Sequence, residues 1–242
     1  VKKGGVYIVN GTKTFISNGI NSDLVITVCK TDPEKGAKGI TCFLVERGDG
    51  VKTSPLKGKL GLRAADTGMV FLDGVRVPKD RVLGKEGEGF RIALSTLDTG
   101  RISLAAGAVG LMQRALDLSL AYTRERKQFG KPIAQFQLVQ EHLAAMKLDL
   151  EAARLLTYRA AWKKVKGEPY TLEASLAKLF ASEAANRVAY RAIQVHGGYG
   201  FFEEYEVARL YRDARILTLY EGTSEVQKLI IGAHLTGVRA FA

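Results

Sequence analysis

One carboxylate in this sequence stands where a general base is useful. Glu221 is the only acid between Asp213 and Glu225, and its neighbours Ile216, Leu217, Leu219 and Tyr220 are mostly apolar. A carboxylate withdrawn from water is a stronger base near neutral pH. Gly222 breaks the helical pattern directly after it, and a second helix restarts behind Ser224 with Gln227 three residues on, the spacing of a capping box. The free N–H groups of such a helix start favour anions. On local sequence alone, a solvated glutamate in a helix–helix turn accounts for these residues equally well.

Three further stretches carry residue types with chemical uses. Asp98-Thr99-Gly100-Arg101 lies inside a helical pattern, where glycine costs about 1 kcal/mol relative to alanine; close approach of another group, or of another helix, would explain it. Arg126-Lys127-Gln128-Phe129-Gly130-Lys131-Pro132, with Gln137 after it, offers a guanidinium that can fork onto pyrophosphate oxygens, and an aromatic face. Gly197-Gly198-Tyr199-Gly200 follows a helix instead of opening one after a strand, so it fails the context of a dinucleotide fingerprint and reads as a helix C-cap with a flexible exit.

The elements that must position these groups change character part-way along the chain. Val6–Val9, Asn10-Gly11 and Thr12–Ser17 read as a β-hairpin around a type I′ turn. Further strands are expected at Leu24–Cys29, Ile40–Val45, Val51–Leu56, Met69–Leu72 and, after Asp73-Gly74, Val75–Val77. Short strands at this spacing predict an antiparallel sandwich or barrel. Beyond Pro78, Gly84, Gly87 and Gly89 the period becomes helical, with helices expected over 90–124, 135–166, 171–195 and 204–218 and a last one behind Ser224. Short connections make an antiparallel four-helix bundle the natural architecture. The fold class is therefore α+β, with domains at residues 1–86 and 87–242.

The net charge of +11 invites a nucleic-acid partner, but the excess is +5 over residues 1–88 and +6 over 89–242, spread along solvated faces. With no zinc-ligand spacing, basic heptad or aromatic RNA-binding box, no nucleic-acid partner is expected; a positive field also suits phosphate-bearing cofactors. No metal-ligand spacing appears, and no run of 18 apolar residues predicts a membrane span. Cys29 and Cys42 sit in strand-like runs without a CxxC and read as buried free thiols, with a disulfide left open. The chain opens on Val1 without a signal-peptide pattern, and reads as part of a longer polypeptide.

Arg212-Asp213-Ala214-Arg215 followed by Tyr220-Glu221-Gly222-Thr223-Ser224-Glu225-Val226-Gln227 resembles the C-terminal signature of the acyl-CoA dehydrogenases. Four more stretches agree with it in order. Phe15-Ile16-Ser17 resembles the family's Trp-Ile-Thr, with Phe15 a departure. Asp98–Arg101 resembles its Asp-x-x-Arg, Arg126–Pro132 its R-x-x-F-G-x-P, and Gln194-Val195-His196-Gly197-Gly198 its glycine loop. The likeness runs nearly end to end, and the family's N-terminal helical domain is absent from this sequence.

The resemblance implies an FAD enzyme that oxidises a short- to medium-chain acyl-CoA to the trans-2-enoyl-CoA, with Glu221 taking the α-proton and a hydride passing to flavin N5. It places Phe15, Ile16, Ser17, Arg126, Phe129, Gln137, Gln194, Val195, His196, Gly197, Gly198, Thr223, Ser224 and Glu225 at the cofactor, His196 without a catalytic role. Asp98, Thr99, Gly100, Arg101 and Gly222 fall at the acyl-CoA. Position 100 is where isovaleryl and long-chain members carry an alternative base, which its glycine leaves to Glu221. An electron-transfer flavoprotein as acceptor and a homotetramer, or at least a dimer, are further implications, in a bacterial cytoplasm or a mitochondrial matrix. An acyl-CoA oxidase, a glutaryl-CoA-type dehydrogenase and a non-catalytic fragment are the alternatives.

Overall fold

The structure is a computed structural model that describes residues 2–238. The chain divides into two compact units, residues 1–96 and 97–242.

The first unit is antiparallel sheet. Strands β1 (Lys2–Lys3), β2 (Val6–Ser17), β5 (Val51–Pro55) and β6 (Thr67–Pro78) form one sheet in the order β1-β2-β6-β5, and β3 (Leu24–Lys30), β4 (Ile40–Glu46) and β7 (Val82–Leu83) form another in the order β3-β4-β7. Alternate residues Tyr7 and Val9 on β2, Val70, Leu72, Val75 and Val77 on β6, and Phe43 and Val45 on β4 are buried together as the core. This is the period-two pattern of strands with one wet face.

The turn expected at Asn10-Gly11 does not form, and the strands expected on either side of Asp73-Gly74 are one strand. β2 and β6 each run on through twelve residues and pair with one another, the register slipping between Val9 and Gly11. Gly74 takes a left-handed φ of 63°, and its N–H donates to Asn10 Oδ1 at 2.7 Å. The glycines thus serve a bulge that bends a paired ladder, since the long partner strand offers more hydrogen bonds than a tight turn would. A second slip, between Lys13 and Ile16, leaves Phe15 at φ 61°.

The long helix α1 (Gly89–Glu125) starts against β4, where a Cβ on Gly89 would lie 2.6 Å from the Thr41 carbonyl carbon, so only glycine fits. In the second unit α1 joins α2 (Gln137–Val165), α3 (Thr171–His196), α4 (Glu206–Ala214) and α5 (Ser224–Thr236). The bundle core draws Leu104, Ala108, Met112 and Ala115 from α1, Met146, Leu150 and Ala153 from α2, Ala177, Ala181, Ala185 and Val188 from α3, and Val207 and Leu210 from α4. An alanine face on α3 lets neighbouring helices approach closely. At the α2–α3 connection, buried Glu173 accepts from Lys163 at 2.6 Å and Arg159 at 3.4 Å. Burial alone would push its carboxyl upward, but Lys163, its own N–H and Arg159 together hold it below its ordinary range.

Candidate functional site

The corner between α4 and α5 is built around two consecutive left-handed residues. After α4 a 3-10 turn, Arg215–Thr218, tightens the chain, and then Glu221 takes φ 57° and Gly222 φ 87°. For a residue with a Cβ this conformation costs about 1–3 kcal/mol and persists only where surroundings impose it. Gly222 could not be replaced cheaply: a Cβ there would stand 2.7 Å from Gln227 Nε2.

The surroundings are specific. Gln227, wholly buried, donates through Nε2 to both Glu221 O at 3.2 Å and Gly222 O at 3.1 Å. Arg101 Nε donates to Glu221 O at 3.3 Å while its NH1 is held by Asp98 Oδ1 at 2.8 Å. Thr171 donates to the other Asp98 oxygen at 2.6 Å, and the Thr99 hydroxyl meets Tyr170 Oη at 3.1 Å, which ties the α2–α3 connection to the same network. Lys178, also wholly buried, donates to Gly222 O at 2.7 Å. The two carbonyls of the corner therefore each accept more than one side-chain hydrogen bond.

The glycine inside α1 has its explanation here. A Cβ on Gly100 would lie 2.5 Å from Glu221 Oε2 and 3.1 Å from Oε1. The carboxylate itself fills the space that a side chain at position 100 would need. Neighbouring Tyr220 has its hydroxyl pushed upward by burial and then by the Glu221 charge.

The capping box read from Ser224 and Gln227 is displaced by one residue. Thr223 is the N-cap, its Oγ1 accepting from Val226 N at 3.4 Å, and Ser224 opens α5 with its hydroxyl donating to Glu183 Oε1 at 2.6 Å. Gln227 is thereby released from the cap and turned onto the corner carbonyls. Glu225 is exposed in the first turn of α5.

A second cluster forms a groove of about 600 Å³ at the end of α3, lined by Tyr122, Arg126, Val195, His196, Gly197, Gly198, Tyr199 and Tyr205 among others. Gly197 takes φ 61°, and neither Gly197 nor Gly198 has an atom within 4 Å of a would-be Cβ, so their backbone is open to an approaching flat group. Gly200 is different: a Cβ there would meet Ile193 O at 2.8 Å. The Arg126 guanidinium lies over the Tyr199 ring at 5.3 Å. His196 is buried, stacks on Tyr122 at 4.3 Å, and donates Nδ1–H to Ala192 O at 2.7 Å. Burial pulls its ring below the usual histidine range, against the opposing Ala192 hydrogen bond.

Beside that groove β8 (Lys127–Gln128) and β9 (Lys131–Pro132) make a hairpin whose two-residue turn is Phe129-Gly130, at φ 52° and 79°. Phe129 is 90% exposed and touches Phe136 edge to face. Gln137 and Gln194 are exposed as well. In the other unit Phe15 is 78% exposed and Ser17 is exposed, whereas the Ile16 side chain packs against the sheet core.

The structure thus gathers Glu221, Gly222, Thr223, Ser224, Gly100, Arg101, Asp98 and Thr99 in one braced region, and Arg126, Val195, His196, Gly197 and Gly198 in another. Sequence reasoning missed Lys178, Glu183 and Thr171. Lys178 had a signal: it stands four residues after Ala174 and three before Ala181, on the buried face of α3. Among the described residues no cluster that could hold a metal ion occurs, and no helix is long and apolar enough to cross a membrane.

Two family descriptions match this chain, "Acyl-CoA dehydrogenase, middle domain" over residues 1–75 and "Acyl-CoA dehydrogenase, C-terminal domain" over residues 87–236. The chain belongs to the acyl-CoA dehydrogenase family. A short-chain specific acyl-CoA dehydrogenase of Megasphaera elsdenii is 46% identical over 232 residues, 96% of this chain and 61% of that protein. A 3-(aryl)acrylate reductase of Clostridium sporogenes is 46% identical over 235 residues, 97% of this chain and 62% of that protein. The solved butyryl-CoA dehydrogenase of Megasphaera elsdenii superposes with a TM-score of 0.95 at 45% identity, covering 97% of this chain and 62% of that one. This acyl-CoA dehydrogenase chain therefore spans a little over three fifths of the length of the curated relatives it matches.

Proposed function

We propose that this chain supplies the catalytic base and part of the cofactor seat of an enzyme that interconverts a short- to medium-chain acyl-CoA and its trans-2-enoyl-CoA. The observation that carries the reading is the Glu221 carboxylate, fixed by a left-handed corner against the bare face of Gly100.

A C–H bond next to a thioester carbonyl is a weak acid, so the base must be aimed and the charge growing on the thioester oxygen must meet donors already in place. Gln227, Arg101 and Lys178 hold the corner's carbonyls, and a peptide N–H points opposite its C=O. Holding the carbonyls therefore also sets the direction of the corner's N–H groups. In this reading Glu221 receives the α-proton on a carboxylate oxygen, and its own backbone N–H, in the same braced corner, faces the thioester oxygen. Proton transfer at Glu221 is reversible, so the same corner serves reduction, the activity named for the Clostridium relative.

FAD, when bound, supplies the acceptor for the hydride that leaves Cβ. The residues present fit such a cofactor: Gly197 and Gly198 offer open backbone, and Arg126 beside them offers a cation suited to a pyrophosphate. Phe129, Gln137, Gln194, Phe15, Ile16 and Ser17 are assigned to it with them, as are Thr223, Ser224 and Glu225 beyond the base. An electron-transfer flavoprotein is the proposed acceptor.

A second copy of the chain is the proposed partner of α2. That helix buries Met146, Leu150, Ala153 and Ala160 inward but leaves Leu148, Leu155, Tyr158, Trp162 and Val165 between 62% and 82% exposed. A stripe of this size on one face marks an interaction surface.

The test is the visible flavin spectrum of the full-length, flavin-loaded protein, without oxygen, before and after butyryl-CoA or octanoyl-CoA, alongside Glu221→Gln. The flavin band of the parent is expected to bleach, and that of the variant to bleach about 10²–10⁴-fold more slowly. A variant that bleaches at the parent rate removes Glu221 as base; a parent that never bleaches removes the activity.

A further inference from the structure

Lys178 is out of place by composition. The α3 positions around it, Ala174, Ala177, Ala181 and Ala184, are wholly buried, and so is the lysine. Burying an ammonium is costly unless it is paired and hydrogen-bonded, and a methionine or leucine would suit that face better. What the ammonium reaches is the backbone of the Glu221 corner, Gly222 O at 2.7 Å, the shortest of the side-chain hydrogen bonds that the corner's carbonyls accept.

We propose that Lys178 is the positioning residue of the proton-transfer step: its buried ammonium clamps the Gly222 carbonyl and so fixes the left-handed corner that aims the Glu221 carboxylate. The proposal rests on Glu221 being the base. Gln227 and Arg101 reach Glu221 O from α5 and α1, but Lys178 approaches from α3, so the corner is restrained from three helices. Removing Lys178 leaves the Gly222 carbonyl to the longer Gln227 bond alone, and Gly222 at φ 87° has alternatives open to it that a residue with a Cβ would lack.

The clamp has a pH range. Lys178 faces Arg101 from α1, Glu183 on its own helix, Glu221 in the corner and Glu225 from α5. Burial, then Arg101, pull its ammonium down from 10.5 to about 8, against the three carboxylates. It is charged at neutral pH, and above about 8 it becomes an amine, which donates a weaker hydrogen bond. Stability moves the other way. The unfolded lysine holds its proton up to 10.5 and the folded one only to about 8, so between these values the unfolded state binds more protons and stability rises with pH. Lys178 therefore makes turnover fall and stability rise across the same alkaline interval.

The experiment compares kcat, KM and thermal unfolding of the full-length, flavin-loaded parent with Lys178→Met, Lys178→Gln and Glu221→Gln from pH 6.5 to about 10, a range that brackets the folded value. The parent's kcat is expected to fall with a midpoint near 8. Lys178→Met is expected to lose about 10- to 100-fold in kcat at neutral pH with KM little changed, to show no limb near that midpoint, and to unfold no earlier than the parent. Lys178→Gln, which keeps a donor without a charge, is expected to recover part of the rate with the same flat profile. A parent kcat that is level through this interval overturns the proposal, as does a Lys178→Met that turns over like the parent. A Lys178→Met that loses kcat and unfolding temperature together overturns it too, since that is what a purely structural lysine would do. Normal turnover by Glu221→Gln would instead remove the base on which the proposal stands, whatever the lysine variants do.

Discussion

The corner at Glu221 and the groove at Gly197–Gly198 lie in the same helical unit but are built on opposite principles. At the corner, Arg101, Lys178 and Gln227 are buried and committed to its backbone, and the strained φ of Glu221 is held by the chain alone. Around the groove, Gly197, Gly198 and Gln194 are exposed, and the Phe129 ring beside it stands almost wholly in solvent at an equally strained φ of 52°. The difference teaches where preorganisation is required. On the roles proposed above, a group that moves a proton must be aimed before substrate arrives, whereas groups that hold a large rigid cofactor can be ordered by it.

That comparison can be broken most directly at Gly100. Gly100→Ala places a Cβ where the Glu221 carboxylate lies, and the long glutamate side chain yields more easily than helix backbone does. Turnover is expected to drop by about 10²-fold, while unfolding in urea shows stability unchanged or raised by up to about 1 kcal/mol from the better helix former. Parent-like turnover would mean that the carboxylate's position against α1 is immaterial.

Gln227→Leu removes a donor from both corner carbonyls, and is expected to cost roughly tenfold in turnover together with about 1–3 kcal/mol of stability. Loss of stability with full turnover would show that the glutamine supports the bundle and not the base.

Glu173 adds buried electrostatics at the α2–α3 connection, outside the hydrogen bonds of the corner itself. Its carboxyl is held below the ordinary value of 4.5, so its contribution is complete above that pH and is lost as pH falls through the lower folded value. Parent and Glu173→Gln are therefore expected to differ in urea midpoint at pH 7 and to converge towards pH 3, with bound flavin unaffected. A difference that persists in acid would locate the effect in packing instead of charge. The smallest effect belongs to Phe129→Ala, expected to shift stability by no more than about 0.5 kcal/mol but to weaken flavin retention on gel filtration; unchanged retention would remove Phe129 from the cofactor seat.

Much of this was legible in the residues. The switch of hydrophobic period at Pro78 to Gly89 separated sheet from bundle, and the helix limits lay within a few residues of those observed. The glycine at position 100 was rightly singled out, since a Cβ there would strike the Glu221 carboxylate, whereas Gly107 and Gly110 of the same helix face open space. The Asn10-Gly11 pair misled because the same left-handed tolerance serves a turn or a bulge, and the choice was made by β6, some sixty residues away. Lys178 was passed over for a similar reason. Its partner is a backbone carbonyl 44 residues on, and no side-chain pattern in the sequence marks a carbonyl as needing a donor.

The close approach of Gly100 and Glu221 restricts which residues the two positions can carry together. A carboxylate carried on α1 at position 100 would enter the volume that the Glu221 carboxylate fills from the corner. The two placements exclude each other, since acids at both positions would crowd two negative charges into one seat.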